Sequence, residues 1–470
     1  MTGRRRRFHD SRSVPRRLPP ELIQRIAIYI PNTDSFFTYL EAFQDTNALG
    51  RLRHLWHLAQ VSDRADLWPD LHVYALTEDI AVAVRALGQV FETIHFHETF
   101  DVVLLQQCVS PSTSFALHVD LANHAAVMDS PSFPLVEWYA QLTRLPIVDL
   151  IWEKQCDPGH LHVHALLNVL PSFHRLQSLD LGFAAPPFLE PILRFVATSS
   201  LTDLNLRIYD AISDPRLGHL ALTTTDILLL TQWVVAQPVR TFSVVGCTAA
   251  HVSPAAMAPL HAALWTKSSL CALGLQVSAL SGLAAYPFAA PLRLSDLALQ
   301  GCDLGPLDIK MLCRGLQHSD VTLLDLTCNP LGVAGVDALA AVLPDTALVS
   351  LKLVLTQAGD EGCCALATAL PSSRVEELHL GMNLITSVGA ADLANAVRAA
   401  ASITTLRLQK NRITAAGAAA LVQAMGAGDV ERTLLDLRKN SLDEADQAML
   451  GEMAAALPQL RGCALTKRVK

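Results

Sequence analysis

The residues best suited to chemistry are three histidines at alternate positions, His160, His162 and His164. On a strand all three imidazoles would share one face, whereas on a helix only His160 and His164 would do so. Two histidines one helical turn apart bind zinc when a third ligand and a supporting hydrogen-bond partner complete the site. Nothing nearby in the sequence clearly supplies that third ligand. We therefore expect a packed or solvated histidine face and predict no metal site.

Other signatures of catalysis are absent from the sequence. It has no G-x-x-x-x-G-K-[ST] phosphate loop, no G-x-G-x-x-G dinucleotide turn after a strand and no G-x-S-x-G nucleophile motif. The aspartates in Leu-Asp-Leu contexts, Asp180, Asp325 and Asp436, alternate with apolar residues as strand residues do. We expect them to be solvated surface groups rather than paired catalytic acids. The sequence therefore predicts no enzymatic activity and no cofactor.

A spacing in the C-terminal half shows which elements position these side chains. The pattern L-x-L-x-x-N-x-(L/I) returns about every 28 residues, a period typical of leucine-rich repeats. In a strand its two leucines face the same side and would be buried, while the residue between them faces outward. The asparagine amide can donate to one turn and accept from the next, which predicts a ladder along the repeats. The ladder residues are Asn329, Asn383, Asn411 and Asn440.

A helix is predicted after each strand. In one repeat its buried face comprises Ala338, Leu339, Val342 and Leu343, and Pro344 follows where a helix would end. Glycines at Gly335, Gly389 and Gly417 are expected to permit a tight entry into the helix. Units of about 27–29 residues resemble the ribonuclease-inhibitor-like class of leucine-rich repeats. That resemblance implies an α/β solenoid, a horseshoe with parallel strands on its concave face and helices on its convex face.

Weaker copies extend the repeats in both directions. The paired strand positions before the regular repeats are Phe242/Val244, Leu204/Leu206, Leu179/Leu181, Val148/Leu150, Leu117/Val119 and Ile94/Phe96, and Cys463/Leu465 follows them. We therefore predict about eleven to thirteen repeats over residues 85–466. Cys247 and Cys302 occupy the asparagine position of their repeats. This substitution resembles the cysteine-containing repeats of F-box proteins.

The N-terminal segment has a different character. Residues 1–17 are rich in arginine and are predicted to be a disordered basic tail. Residues 18–75 are predicted to be a small all-α module. It opens L-P-x-E-L-x-x-x-I, with Leu18, Pro19, Glu21, Leu22 and Ile26 at the defined positions, and closes in a Leu-Trp segment.

This module resembles an F-box. In that family the module docks on a Skp-type adaptor of a cullin-type ubiquitin ligase, and the repeats that follow bind the substrate. The resemblance assigns adaptor binding to the five opening residues. The alternative is a helical cap that covers the open end of the first repeat, which solenoids require.

The composition limits the possible binding partners and the cellular compartment of the protein. The chain has 470 residues, is 51% hydrophobic and carries a net charge of −8, so it shows no general nucleic-acid footprint. No apolar run reaches the roughly 20 residues of a membrane helix, and no apolar stretch follows the N-terminal arginines as in a secretory signal. The ten cysteines include no C-x-x-C pair, which favours reduced thiols. We predict a cytoplasmic or nuclear protein without nucleic-acid or membrane partners.

A partner-binding strip is predicted on the concave face of the last repeats. Because parallel strands stack about 4.8 Å apart, Asp436 is expected beside Arg407 as an exposed pair. A strip that mixes charged and apolar groups suits a protein partner, since complementary charge provides specificity. Its residues are Glu376, Glu377, His379, Arg407, Lys410, Asp436, Arg438 and Lys439.

Three functions are compatible with these features. The first is a non-catalytic interaction protein that acts as an F-box-like substrate receptor. The second is a regulator of a small GTPase. Long repeats, alanine-rich helices and a regular Asn-x-(L/I)-x-x-x-Gly turn resemble the Ran GTPase-activating protein, and this resemblance implies a small GTPase as partner. That family ends in a strongly acidic extension, whereas this sequence ends in Lys467, Arg468 and Lys470. The third is an immune- or signalling-type sensor whose nucleotide module lies elsewhere and which acts through partners.

Overall fold

The computed structural model describes residues 18–110, 112–121, 130, 133–154, 161–183, 189–208, 220–276, 283, 286–400, 402–428 and 430–465. The chain divides into two compact units. The first contains Met1–Val119 and Val136–Leu150, and the second contains Asp120–Leu135 and Ile151–Lys470. The predicted basic tail, residues 1–17, lies outside the described residues.

The first unit begins with three short helices and continues as alternating strands and helices. Its elements are α1 (Pro20–Ala27), α2 (Thr33–Glu41), α3 (Arg53–Leu58), β1 (Leu71–Val73), α4 (Glu78–Leu87), β2 (Thr93–His97), α5 (Val102–Cys108), β3 (Ser114–Asp120), α6 (Leu135–Leu142) and the start of β4 (Ile147–Lys154). Strands β1, β2 and β3 pair in parallel in that order. Strand β1 follows the Leu-Trp segment directly and is not among the predicted strand positions.

Trp68 holds the helical part of this unit together. Its indole ring stacks on the buried Phe36 ring, with centroids 4.0 Å apart and planes 4° apart. The indole Nε1 donates to the carbonyl oxygen of Ile30 at 2.7 Å, and the Thr33 hydroxyl donates to the carbonyl oxygen of Trp68 at 2.9 Å. The Leu-Trp segment therefore belongs to the core of the module, since it joins the end of α1 to the start of α2.

The second unit repeats a strand and a helix with few interruptions. Its strands are β5 (Ser178–Phe183), β6 (Asp203–Ile208), β7 (Leu220–Ala221), β8 (Thr241–Val245), β9 (Cys247–Thr248), β10 (Ala272–Gln276), β11 (Asp296–Gln300), β12 (Leu323–Asp325), β13 (Ser350–Lys352), β14 (Glu377–His379), β15 (Thr405–Arg407), β16 (Leu434–Asp436) and β17 (Cys463–Ala464). Strands β7 and β9 form a small separate sheet, and the others pair in chain order.

The helices of the second unit follow the same alternation. They are α7 (Leu161–Val169), α8 (Leu189–Thr198), α9 (Thr224–Ala236), α10 (Pro254–Thr266), α11 (Pro306–Leu316), α12 (Gly332–Val342), α13 (Gly359–Ala369), α14 (Ser387–Ala399), α15 (Ala415–Met425) and α16 (Glu444–Ala455). Each of the helices α11 to α15 packs on the next one in the sequence. The predicted α/β class, a solenoid of leucine-rich units with parallel strands, is confirmed.

The repeating leucines form the core between the strands and the helices. Leu324 and Leu326 are fully buried in one repeat, and Leu351 is fully buried in the next. Leu406 and Leu408, two repeats after Leu351, are also fully buried. Each such side chain contributes roughly 1.5–3 kcal/mol when it leaves water. Because one repeat has too few of them to fold alone, the leucines stabilise the fold only when neighbouring repeats stack.

The regular spacing of the glycines has a different cause from the predicted one. Gly417 lies inside helix α15, where a Cβ atom would come within 2.8 Å of the Cα atom of Ser387 in the preceding repeat. Gly389 lies inside helix α14, where a Cβ atom would come within 3.1 Å of the Cβ atom of Cys363 in the preceding helix. These glycines allow adjacent helices to approach closely, so the expectation that they ease entry into the helix was wrong.

Arg432 closes the C-terminal end of helix α14. Its guanidinium group is buried and donates to the carbonyl oxygens of Val397 at 3.2 Å, Ala400 at 3.3 Å and Ile403. The carbonyls in the last turn of a helix lack partners within the helix, and a cation there also interacts favourably with the helix dipole. Burial lowers the pKa of Arg432. One side chain thus satisfies three buried acceptors of the neighbouring repeat.

Replacing Arg432 by methionine is expected to lower the free energy of unfolding by about 2–3 kcal/mol, because buried carbonyl groups would lose their donors. Urea denaturation followed by circular dichroism measures the change. The matched control is Arg412→Met at an exposed arginine, which should change stability by no more than about 0.5 kcal/mol. Equal stabilities of the two variants would show that Arg432 does not support the helix end.

Candidate partner-binding surfaces

The first candidate surface is the outer side of helix α1. The five residues predicted to bind an adaptor, Leu18, Pro19, Glu21, Leu22 and Ile26, are all exposed to solvent. Leu22 and Ile26 lie one turn apart on α1, Leu18 precedes the helix and Tyr29 follows it. Their exposed fractions are 48% for Leu18, 41% for Leu22, 37% for Ile26 and 78% for Tyr29. We call these four residues the N-terminal stripe. Contiguous exposed apolar groups mark interaction sites on proteins.

The opposite side of α1 explains why the stripe faces outward. Ile23 and Ala27 are buried in the module. The Gln24 side chain donates to the carbonyl oxygen of Ala48 at 3.0 Å, and the Tyr39 hydroxyl donates to the carbonyl oxygen of Ile23 at 3.2 Å. The inner face is therefore fixed by packing and hydrogen bonds, which leaves the helix no freedom to bury its other apolar side.

The second candidate surface is the outward side of strands β12 to β16. The register of the parallel strands places one outward residue of each strand in a single line. We call this line the central row, and it consists of Asp325, Lys352, His379, Arg407 and Asp436. Three of these five, His379, Arg407 and Asp436, are among the predicted partner-binding residues, and the register places them side by side.

The two acids of the central row are buried rather than solvated, contrary to expectation. Asp436 is fully buried and accepts hydrogen bonds from the backbone N–H of Arg438 at 3.1 Å and from its Nε at 2.9 Å. Arg407 is its neighbour across the strands, as the spacing predicted, but the ion-pair partner of Asp436 is Arg438. These bonds to Asp436 raise the pKa of Arg438. The exposed Asp436–Arg407 pair was therefore a wrong prediction, because residues two apart on one strand also share a face.

Asp325, at the other end of the row, is satisfied in the same way. It accepts from the Gln300 side chain at 2.7 Å and from the backbone N–H of Thr327 at 3.0 Å, with the Lys352 ammonium group 3.8 Å away. Only 4% of Asp325 is exposed. Both acids of the row thus stabilise the solenoid and are not available to a partner.

The groups left over in the middle of the row are basic. Within the described part of the chain, Arg407 Nε and His379 Nε2 are buried atoms without a hydrogen-bond partner. Burial, followed by the charges of Arg407 and Lys352, lowers the pKa of His379. His379 and Arg407 are only half-buried as residues, so the rest of each side chain is open to a partner. The middle of the row is therefore suited to an acidic or hydrogen-bond-accepting group from another molecule.

Charge changes along the strand direction on this surface. Glu376 and Glu377 are exposed at the start of β14. Lys410 and Lys439 are exposed beyond the ends of β15 and β16, at equivalent turn positions with φ values of 58° and 59°. The surface is acidic where the strands begin and basic where they end. Such polarity would orient a partner of complementary charge.

The asparagines stand behind the turns that present this surface. Asn383 is fully buried; its Oδ1 accepts from the backbone N–H groups of Thr356 at 2.9 Å and Ala358 at 3.2 Å. Its Nδ2 donates to the carbonyl oxygens of Leu353 at 2.6 Å and Gly381 at 3.2 Å. Most of these bonds reach the preceding repeat, whereas the sequence suggested bonds on both sides.

The other ladder residues make equivalent contacts to the preceding repeat. Asn411 bonds the backbone of Asn383, and Asn440 bonds the backbone of Ile413. Asn329 accepts from the backbone N–H of Cys302 at 2.9 Å. The Cys302 thiol occupies the ladder position of its own repeat and donates to the carbonyl oxygen of Leu275 at 3.3 Å. The ladder thus fixes the turns from which Lys410 and Lys439 project.

Two of the three histidines singled out by the sequence are described, and they differ in burial. His160 lies outside the described residues, and helix α7 begins at Leu161. On this helix His162 is buried and His164 is exposed, so the two imidazoles face different sides. Across the described ranges, no group of three or more His, Cys, Asp or Glu side chains is placed to hold a metal ion.

Two further features bear on the predictions from composition. The cysteines in the part of the chain that the structure describes are free thiols. None of the helices in that part is both long enough and apolar enough to cross a bilayer.

A family model for leucine-rich repeats matches residues 317–340 and 399–422. No curated protein matches the chain significantly. Among solved structures, one chain of the yeast Rad7–Elc1 complex is similar to this protein. The similarity covers 90% of this chain and 94% of that chain, with 13% identity and a TM-score of 0.37. An internalin from Listeria monocytogenes is similar over 89% of each chain, with 14% identity and a TM-score of 0.34. Neither structure bears on function at this level of similarity.

Proposed function

We propose that this leucine-rich repeat protein is a non-catalytic, F-box-like substrate receptor. Its N-terminal module docks on a Skp-type adaptor of a cullin-type ubiquitin ligase, and the strand face of its C-terminal repeats holds the protein substrate. The observation that carries the proposal is the solvent-facing N-terminal stripe of Leu18, Leu22, Ile26 and Tyr29.

The direction in which the stripe faces separates docking from capping. A helix that only covers the end of a solenoid needs one inward apolar face, and Ile23 and Ala27 already supply it. Additional large apolar groups on the outside have no capping role and carry a cost in water. A protein partner that buries them gains roughly 25 cal/mol for each Å² of apolar surface. The exposed stripe thus supports adaptor docking, in agreement with the F-box resemblance of these residues.

Substrate binding is placed on the strand face because cationic side chains reach solvent there. Arg407 is half-buried, and Lys410 and Lys439 are exposed. The substrate segment that fits this surface carries acidic residues opposite these three side chains. Glu376 and Glu377 would face neutral or basic residues of the same segment.

The experiment that tests the function is copurification. The full chain is expressed with a Skp-type adaptor and a cullin, and in parallel with a small Ran-like GTPase. We expect the chain to elute with the adaptor and cullin as one complex in size-exclusion chromatography. Separate elution from the adaptor, or coelution with the GTPase instead, would overturn the proposal.

Charge reversal of the strand face gives a second prediction. We expect the variant Arg407→Glu, Lys410→Glu, Lys439→Glu to lose capture of a substrate that proximity labelling has identified, while it keeps adaptor binding. Arg438 is left unchanged because it neutralises the buried Asp436. Loss of such a partner would leave a buried charge and unfold the repeat.

The matched control reverses three exposed basic residues elsewhere, Lys310, Arg314 and Arg374. It carries the same change in net charge, so any general electrostatic effect appears in both variants. Substrate capture that is equal in the two variants, at matched thermal stability, would exclude the strand face as the binding surface.

A further inference from the structure

A row of imidazoles lies on the strand face of the first unit. Strands β1, β2 and β3 bury Leu71, Ile94 and Phe115, and their alternate residues face outward. The outward histidines are His72 on β1, His95 and His97 on β2, and His118 on β3. The strand register pairs His72 with His95 and His97 with His118. All four are half-buried and none belongs to either partner-binding surface.

His97 is the centre of this row. Its Nε2 lies 2.9 Å from Nδ1 of His72, and its Nδ1 lies 3.2 Å from Nδ1 of His118. The ring of Tyr74 stacks on His97, with centroids 4.3 Å apart and planes 15° apart. His97 is therefore held on both ring nitrogens and on one ring face. A side chain fixed to this degree keeps its nitrogens in a constant position.

The hydrogen bonds of His97 decide which of its nitrogens can bind an ion. A neutral imidazole has one N–H group and one lone pair. In the tautomer where Nε2–H donates to His72, the lone pair of His97 Nδ1 faces Nδ1 of His118. A bound ion would replace the proton that lies between the two Nδ1 atoms, and His118 would then carry its N–H on Nε2. Metal-binding histidines are oriented in this way, by a hydrogen bond on the nitrogen that does not bind the ion.

We propose that His97 and His118 form a two-histidine chelate for a divalent transition-metal ion, with His72 as the positioning residue. Two imidazole nitrogens that each lie 2.0–2.1 Å from a tetrahedral zinc ion are about 3.3 Å apart. The 3.2 Å between the Nδ1 atoms matches this separation. Imidazole ligands favour Zn²⁺, Cu²⁺ and Ni²⁺ over Mg²⁺ and Ca²⁺.

The site is open on its remaining positions. The described residues supply no third His, Cys, Asp or Glu, so a bound ion would keep solvent at its other positions. The pair has a supporting hydrogen-bond partner in His72 but lacks a third protein ligand, and we therefore expect weak binding. An open two-ligand site binds more weakly than a structural zinc site and leaves the fold independent of the metal. This inference concerns the first unit only and does not depend on the proposed function.

Zinc titration of the full chain tests the chelate. Isothermal titration calorimetry at pH 7.5 with Zn²⁺ alone is expected to show a binding event in the wild type that is lost in His118→Ala and in His118→Gln. His72→Ala, which removes only the positioning contact, should weaken this event by about 10- to 100-fold. Mg²⁺ should produce no such event.

The control is His251→Ala, at an exposed histidine of the second unit, which should titrate as the wild type does. Weak binding at other histidines appears equally in all variants, so the difference between variants isolates the site. Thermal melting of each variant checks that the fold is retained. Equal stoichiometry and affinity in the wild type and in both His118 variants, or no zinc binding by the wild type, would overturn the proposal.

Discussion

Replacing Leu22 and Ile26 together by glutamate is expected to weaken adaptor binding by about 100-fold or more, because two central apolar contacts are lost and two charges are buried. Both side chains are partly exposed in the free protein, at 41% and 37%, so the thermal melting temperature of the variant is compared with that of the wild type to check that it folds. The dissociation constant of the purified full chain for a Skp-type adaptor, measured by calorimetry, gives the effect directly.

Two exposed valines of the same unit provide the controls. Val61 and Val82 are 74% and 64% exposed and lie outside α1. Val61→Glu and Val82→Glu introduce the same charge at apolar positions and should leave adaptor affinity unchanged. A stripe variant that binds as tightly as these controls would mean that α1 is not the docking helix.

Replacing Asn383 by alanine is expected to lower the free energy of unfolding by about 4 kcal/mol or more. The change removes three acceptor contacts, from the backbone N–H and the hydroxyl of Thr356 and from the backbone N–H of Ala358, and two donor contacts in a buried site. Each buried backbone group left without a partner costs roughly 1–3 kcal/mol. Because these groups belong to two adjacent repeats, the loss also weakens the interface between them. The shift of the urea midpoint and of the melting temperature measures the effect.

Asn395 is a matched control on the neighbouring helix. It is exposed and its side chain accepts only from Arg398, at 3.1 Å. Asn395→Ala should change stability by less than about 0.5 kcal/mol. If Asn383→Ala and Asn395→Ala had equal stabilities, the ladder would have no structural role.

The repeat architecture was predictable because its determinants lie within one repeat. Leu324 and Leu326 are two residues apart, and alternation in a strand places both in the core. Asn329 follows at a constant offset, so the position of the turn was also evident. The α/β class and the strands β2 to β6, β8, β10 to β17 follow from such local spacings.

Contacts between repeats were not predictable from spacing alone. Arg432 reaches Val397 and Ile403, which are 35 and 29 residues away, and nothing in its local sequence distinguishes it from an exposed arginine. Choosing Arg438 rather than Arg407 as the partner of Asp436 requires side-chain geometry. In both cases the strand register limits which side chains and carbonyl groups can be partners, but it does not select one of them.

The histidine row shows the same limit more clearly. His72 and His97 are 25 residues apart, and His97 and His118 are 21 apart, so no short motif contains them. The compact His160–His164 motif is local, yet its described members His162 and His164 lie on one helix, the first buried and the second exposed. A search for polar residues at outward positions one repeat apart would have found the row.

The orientation of α1 needed the structure as well. The spacing of Leu22 and Ile26 indicates one apolar face, but it does not tell whether that face points to the core. The core contacts of Ile23 and Ala27 decide this, because they turn the other side outward.

Hydrogen–deuterium exchange of the full chain, with and without a purified Skp-type adaptor, tests adaptor docking most directly. We predict that the adaptor slows exchange in peptides that cover residues 18–30 and leaves the repeats from β10 onward unchanged. Adaptor binding that protects only the repeats, or no change in residues 18–30 at saturating adaptor, would contradict the proposed function.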